Sequence, residues 1–333
     1  MGTVLGAFLT RGGFPIDMID AYPAHVQAMK DNGAHIVGTE EFTVPVNALL
    51  PEEVSGIYDL VFLMTKQTAN ATVLTSFQPH LGPDSVVCTL QNGVPEPLVA
   101  EYVGKERTVG GTLLWGATFV EPGVSRLTTS LQPKRDAGRP FFDIGEIDGQ
   151  ITPRIKEVAA VLEHMGKADI VTNLMDARWS KLIINCAGSG MSASLGCRFG
   201  DFLDTPRAME CLSYLAYEAS MVGYAAGYRV RHSYYRLTMD PPAYARMYYG
   251  LHDKDRDGKA SMLQDLEKGR LTEVDMLNGY AAKVGDEVGI DTPYNDAVVR
   301  IVHAMEKGEL PLSMTNLQYF PDIHYEKIEV PEE

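Results

Sequence analysis

Apolar residues recur at helical spacing from Val4 to Thr10, and Arg11-Gly12-Gly13 stops the pattern, as glycine does past a helix C-terminus. Phe14 to Asp20 then predicts a short buried strand that closes on an acid. Ala24 to Asn32 predicts a second helix, ended by Gly33. Tyr58 to Thr65 and Ser85 to Leu90 are near-continuous apolar runs of strand length, separated by a helical stretch from Thr68 to Phe77. Glu96 to Tyr102 predicts a further helix, and Arg107 to Gly111 opens another strand. Apolar strands alternating with helices predict an α/β fold around a Rossmann-like, doubly wound parallel sheet, which binds ligands at the carboxyl ends of its strands.

The second half changes period. Ile151 to Met165 predicts a helix and Ala168 to Thr172 a last strand. From Ala177 onward the pattern is helical: Trp179 to Ala187, Thr205 to Gly227, Met262 to Val288 and Tyr294 to Lys307. Two domains are expected, a Rossmann-like one over 1–172 and an all-α one over 173–333. The polar, Pro- and acid-rich stretch after Pro311 is expected to be a surface extension.

A length of 333 residues agrees with two domains. The net charge of −15 argues against nucleic acid or an anionic membrane surface as the partner. No apolar run reaches ~18 residues, so no transmembrane helix is expected. The four cysteines form no CxxC pair, which points to buried thiols in a reducing compartment and a cytoplasmic protein. The eight histidines lack ligand spacing, and no metal is expected. Asp253, Asp255, Asp257 and Gly258 imitate the start of a calcium loop, but its last position would fall on Gln264 instead of a bidentate Glu.

Several residues carry candidate chemistry. Asp20 ends the strand after the first helix, where a dinucleotide fold uses an acid to accept hydrogen bonds from the adenosine ribose. Such a carboxylate repels a 2′-phosphate and favours NAD over NADP; the alternative is an aspartate that only caps a turn. Met1-Gly2 fits the last two positions of a Gly-x-Gly-x-x-Gly loop, with Gly2 letting helix and strand pack closely. On that reading a first strand and tight turn, about ten residues, are missing ahead of it. Lys181, Asn185 and Ser189 are spaced i, i+4, i+8 and share one face of an apolar helix. Lysine there suits a general acid, or else snorkels beside two polar neighbours. Ser261 with Gln264 reads as a capping box, with Glu273 on a solvated face. Leu90-Gln91-Asn92-Gly93 and Lys66 fall at strand carboxyl ends; a plain turn and a surface lysine are the alternatives.

Together these segments resemble the 2-dehydropantoate 2-reductase (ketopantoate reductase) family, over nearly the whole chain. The residues that carry the resemblance are Met1-Gly2, Lys66, Leu90-Gln91-Asn92-Gly93, Arg178-Trp179-Ser180-Lys181-Leu182 with Asn185, and Ser261-Met262-Leu263-Gln264-Asp265 leading to Thr272-Glu273-Val274-Asp275. The resemblance implies a Rossmann domain, a helical C-terminal domain, and reduction of a small 2-oxo acid to a D-2-hydroxy acid with NAD or NADP. It implies Lys181 as proton donor and Glu273 beside it as the catalytic pair. It implies Asn185, Ser189, Ser261 and Asn92 as substrate-binding positions, and Gly2, Asp20, Lys66 and Asn92 on the cofactor side.

Two departures bear on the substrate. Ser189 and Gly190 stand where the family often has Asn and Pro, and Asp20-Ala21-Tyr22-Pro23 lacks the basic residue of NADP-type members. The chain is therefore also similar to the NAD-dependent D-2-hydroxyacid dehydrogenases that act on branched or mandelate-type acids. A non-catalytic ligand-binding remnant lacking the phosphate-binding turn is a further alternative, and a homodimer stays open.

Overall fold

The computed structural model describes residues 1–330. The chain divides into two units, Met1–Gln91 with Pro95–Leu174, and Asn92–Val94 with the chain from Met175 onward.

The first unit alternates short helices and strands in the order α1 (Gly2–Arg11), β1 (Asp17–Ile19), α2 (Pro23–Asn32), β2 (Ala34–Gly38), β3 (Phe42–Val44), β4 (Asn47–Leu49), β5 (Tyr58–Leu63), α3 (Asn70–Phe77), β6 (Leu81–Thr89), α4 (Glu96–Val103), β7 (Thr108–Leu113), β8 (Ala117–Glu121), β9 (Val124–Leu127), α5 (Leu131–Asp136), β10 (Phe142–Glu146), α6 (Pro153–Leu162) and β11 (Ala168–Ile170). β5, β6 and β7 are parallel neighbours, as expected for helical crossovers. β10 pairs antiparallel with β7 and parallel with β11, closing a five-stranded sheet in the order β11-β10-β7-β6-β5. The hairpin β8–β9 lies in the connection from β7 to β10 and joins a second sheet, β3-β2-β9-β8, while β1 and β4 form a parallel pair. The fold is Rossmann-like α/β, with this one reversed pair in its larger sheet. The strands between Gly33 and Leu50 are three to five residues long and partly exposed, so they leave no apolar run to read.

α1 is buried along Val4–Leu9 and lies tightly on β1 at one point: a Cβ on Gly6 would stand 2.8 Å from Met18 Sδ. The close approach assigned to Gly2 is corrected here. A Cβ on Gly2 would meet nothing nearer than Met64 Cβ at 3.8 Å, an ordinary contact, so Gly6 sets the helix–strand spacing.

The second unit is all-helical: α7 (Leu174–Ile184), a π turn (Asn185–Ser189), α8 (Gly190–Ser194), α9 (Phe199–Leu203), α10 (Pro206–Ala225), α11 (His232–Thr238), α12 (Pro241–His252), α13 (Ser261–Glu267), α14 (Asn278–Val288) and α15 (Pro293–Glu306). α10 is the central helix and packs against α12, α14 and α15. Its core includes Trp179, Leu182, Leu212, Leu215, Tyr294 and Val298.

Two expectations are corrected here. Met262 to Val288 is not one helix. α13 ends at Glu267, Gly269 takes a positive φ of 62°, and Thr272 N donates to Glu306 Oε1 of α15 at 2.7 Å before α14 begins. The capping box at Ser261 does not form. Ala260 holds the cap position without a side-chain bond, and Gln264 Nε2 donates instead to Lys259 O at 3.2 Å. Residues 312–330 run mostly exposed, as expected of a surface extension, and are anchored where Asn316 and Phe320 are buried and Tyr325 donates to Glu218 of α10 at 2.8 Å.

Among the described residues no helix is long and apolar enough to cross a membrane. The four cysteines are buried and unbridged. Asp253 pairs with Arg256 at 2.7 Å and Asp257 with Arg198 at 2.9 Å, so the calcium-like aspartates neutralise arginines.

Candidate functional site

In the first unit, Asp20 follows β1 and is held by its own turn: Tyr22 N donates to Asp20 Oδ1 at 2.8 Å, and Asp20 N to Leu49 O at 3.1 Å. The carboxylate is exposed. Burial lowers the pKa of the Met1 amino group; Asp20 acts on it in the opposite sense and Lys66 in the same sense. Both side chains therefore stand near the N-terminal end of α1, which carries no side-chain cap. Gly2, Asp20 and Lys66 thus converge at one end of this unit.

The loop that bears Lys66 is fixed by Gln91, a residue to which the sequence reading gave no role. Gln91 Nε2 donates to Thr65 O at 2.8 Å and to Asn70 Oδ1 at 2.6 Å; Asn70 Nδ2 and Thr89 Oγ1 both donate to Gln91 Oε1 at 3.2 Å. A fully paired buried amide of this kind locks the turns after β5 and β6 to each other.

A dinucleotide fits this end on its donor chemistry. An uncapped helix N-terminus offers backbone N–H groups to a pyrophosphate, and an exposed carboxylate at the end of the neighbouring strand accepts from ribose hydroxyls.

In the second unit, α7 is fixed by Trp179. Its Nε1 donates to Ala219 O of α10 at 2.8 Å, its ring stacks on Tyr228 with centroids 4.9 Å apart, and it lies so close to Gly223 that any Cβ there would collide with it. Arg178 and Leu182 are also buried, which leaves Lys181, Ile184, Asn185 and Ser189 on the less buried side.

The π turn sharpens this alignment. Four α-helical residues overshoot a full turn by ~40°. The π turn, closed by i→i+5 bonds, winds less per residue, so Ser189 falls back towards the line of Lys181 and Asn185. The turn is accommodated by glycines and an asparagine. The Tyr248 hydroxyl occupies the space beside Gly188, and a Cβ on Gly190 would stand 2.9 Å from Asn278 Nδ2. Asn278 Nδ2 donates to Cys186 O at 3.1 Å and to Asn295 Oδ1 at 2.9 Å, and Asn295 Nδ2 donates to Glu218 Oε2 at 2.8 Å.

Glu218 also accepts from Tyr294 N at 2.9 Å, Asn295 N at 3.0 Å and Tyr325 Oη at 2.8 Å. Burial pushes its carboxyl up to about 7, against the pull of these donors. Asn278, Asn295 and Glu218 escaped the sequence reading. The available signal was a lone carboxylate inside the apolar stretch Leu212–Val222, which is affordable only if paired.

Asn185 Nδ2 is buried and has no hydrogen-bond partner among the described residues. An orphaned donor on the face of Lys181 is suited to an acceptor supplied from outside the chain. α13, which begins at Ser261, packs against the π turn, as does α14. Glu273 lies between these two helices and is 3% exposed, so the solvated face expected for it is corrected: Thr272, Glu273 and Val274 are all buried where the chain folds back. Asn92 falls with this unit, and Val94 beside it joins the helical core.

Residues 1–134 match the family described as "Ketopantoate reductase PanE/ApbA", and residues 173–306 its C-terminal counterpart. The 2-dehydropantoate 2-reductase of Streptococcus pyogenes serotype M1 is 26% identical over 310 residues, spanning 92% of this chain and 95% of the relative. That of Archaeoglobus fulgidus is 27% identical over 310 residues with the same coverage. A solved D-mandelate dehydrogenase with NADH and anilino(oxo)acetate superposes with a TM-score of 0.79 at 25% identity, covering 93% of this chain and 96% of that one. With both parts of the family matched across most of its length, this chain belongs to the ketopantoate reductase PanE/ApbA family of oxidoreductases.

Proposed function

We propose that the protein reduces a 2-oxo acid to the D-2-hydroxy acid and prefers NADH. The observation that carries the reaction is the shared face of Lys181 and Asn185, with the buried Asn185 Nδ2 left without a partner among the described residues. When bound, the nicotinamide supplies the hydride. Lys181 gives a proton to the carbonyl oxygen and, as a cation, stabilises the negative charge that grows there. Asn185 donates to a substrate oxygen, and the hydroxyls of Ser189 and Ser261 orient the carboxylate. Glu273 keeps Lys181 charged and positioned. Asn92 binds substrate and cofactor, Lys66 binds the cofactor, Gly2 begins the helix that receives the pyrophosphate, and Asp20 takes the ribose hydroxyls and turns away a 2′-phosphate.

For the substrate, 2-dehydropantoate is the family reading. A second reading, a bulkier branched or aromatic 2-oxo acid, is favoured by the short side chain of Ser189 on the substrate face. The solved relative with NADH bound is a D-mandelate dehydrogenase, which supports the same direction. The test is oxidation of NADH and NADPH against 2-dehydropantoate, branched 2-oxo acids and phenylglyoxylate. Turnover with at least one 2-oxo acid and a higher kcat/KM for NADH is expected. No turnover with any of them, or a clear preference for NADPH, overturns the corresponding half.

A further inference from the structure

We propose that Tyr22 and Phe119 form the wall against which the adenosine end of the dinucleotide packs, with Asp20 at its rim. This rests on the dinucleotide reading above and deepens it.

The two rings are 47% and 44% exposed, unusual for large side chains that touch each other, with centroids 6.3 Å apart and planes at 52°. Rings set at such an angle do not cover each other's faces; they make an open corner. The corner is tied to Asp20 through the backbone, because the Tyr22 amide is the group that donates to Asp20 Oδ1. A ligand that places a ribose diol on Asp20 therefore brings its attached base beside these rings.

Phe119 is held in place by a device with no other evident purpose. His25, buried at the start of α2, packs edge-on against Phe119 with centroids 5.4 Å apart. Gly123 N, in the turn between β8 and β9, donates to His25 Nδ1 at 2.9 Å, so Nδ1 carries no proton. The proton sits on Nε2 and is donated to Thr3 Oγ1, 2.9 Å away in the first turn of α1. The imidazole thus ties the hairpin tip to the two helices that flank the nucleotide end. The β8–β9 pairing also slips between Phe119 and Glu121, a bulge of the kind that re-aims a side chain.

The chemistry selects the occupant. Two rings and one carboxylate are far too small a patch for a protein partner, which needs about 800 Å² per side. A purine supplies a π face for the rings, and its ribose supplies the donors that a carboxylate requires.

The test compares affinities for NADH, for ADP-ribose (the adenosine half) and for reduced nicotinamide mononucleotide (the other half), by calorimetry or fluorescence. In Tyr22→Ala and Phe119→Ala, affinity for NADH and ADP-ribose should fall about tenfold, the scale of one lost base–aromatic stack. Affinity for the mononucleotide should hold, and Tyr22→Phe should restore binding. Should Phe119→Ala not fold, Phe119→Leu carries the same comparison. Unchanged ADP-ribose affinity, or an equal loss for the mononucleotide, overturns the wall. If the unmodified protein binds neither NADH nor ADP-ribose, the dinucleotide reading itself fails.

Discussion

Asn278 Nδ2 donates to the carbonyl oxygen of Cys186 at 3.1 Å, within the π turn that sets Asn185 and Ser189 in line with Lys181. A side-chain donor from a neighbouring helix thereby completes a backbone that a regular α-helix would complete by itself. Replacing Asn278 with Leu leaves a buried carbonyl without this donor, a cost of about 1–3 kcal/mol. The turn then loses the contact that shapes it. Chemical denaturation should show the stability loss. Kinetics should show a fall in kcat/KM for the 2-oxo acid while NADH affinity, proposed to belong to the other unit, stays within about twofold. Equal losses in both would mean that Asn278 supports the fold alone.

Lys181 is the group assigned to proton transfer. Lys181→Ala should lower kcat by about 10²- to 10⁴-fold, the usual worth of a positioned acid, while NADH binding persists. Lys181→Arg keeps the charge but not a proton that can be given up near neutral pH, and should recover little turnover. Full activity in Lys181→Ala would remove the assignment.

The helical face of Lys181 and Asn185 was legible from spacing alone, because α7 obeys the α-helical period up to Ile184. The π turn after it was not. It is set by tertiary contacts, the Tyr248 hydroxyl against Gly188 and Asn278 against Gly190, from residues some sixty to ninety positions away. Asp20 was likewise legible as an acid closing an apolar strand. The hairpin that carries Phe119 was not, since its strands are short and half-exposed. Ser261 shows the reverse failure: a local capping pattern was present, and the cap position falls one residue earlier, on Ala260, which has no side-chain oxygen to offer.

The role proposed for Asp20 would make cofactor choice a matter of charge. A carboxylate opposite a 2′-phosphate costs on the order of 1–2 kcal/mol at a partly solvated site. Asp20→Asn should therefore raise the NADPH to NADH ratio of kcat/KM by about tenfold or more, mainly through KM for NADPH. A ratio that does not move would show that selectivity lies elsewhere.

Gly223 is required by Trp179, whose indole occupies the space a Cβ would fill. Gly223→Ala should push Trp179 off the Ala219 carbonyl and displace α7, costing about 1–3 kcal/mol from overpacking. Trp179 and Trp115 are the two tryptophans, and Trp115 lies in the other unit. A red shift in tryptophan emission in Gly223→Ala, absent from the same change at the exposed Gly250, is the expected signature.

Glu218 gives the second unit a pH dependence of defined sign. Burial raises its folded-state pKa from 4.5 to about 7, so between those values the folded chain holds a proton that the unfolded chain has released. The stabilisation is fully present below about pH 4.5 and is lost as pH rises through about 7. Its size is on the order of 3 kcal/mol, because each tenfold gain in proton affinity on folding is worth about 1.4 kcal/mol. Glu218→Gln keeps one acceptor oxygen, sets an NH2 against the donors of the other at a cost that does not vary with pH, and no longer titrates. Subtracting its stability curve from that of the unmodified protein should isolate a decline across pH 4.5 to 7, measured by urea denaturation. A flat difference over that window would mean that the four donors around Glu218 hold it ionised throughout.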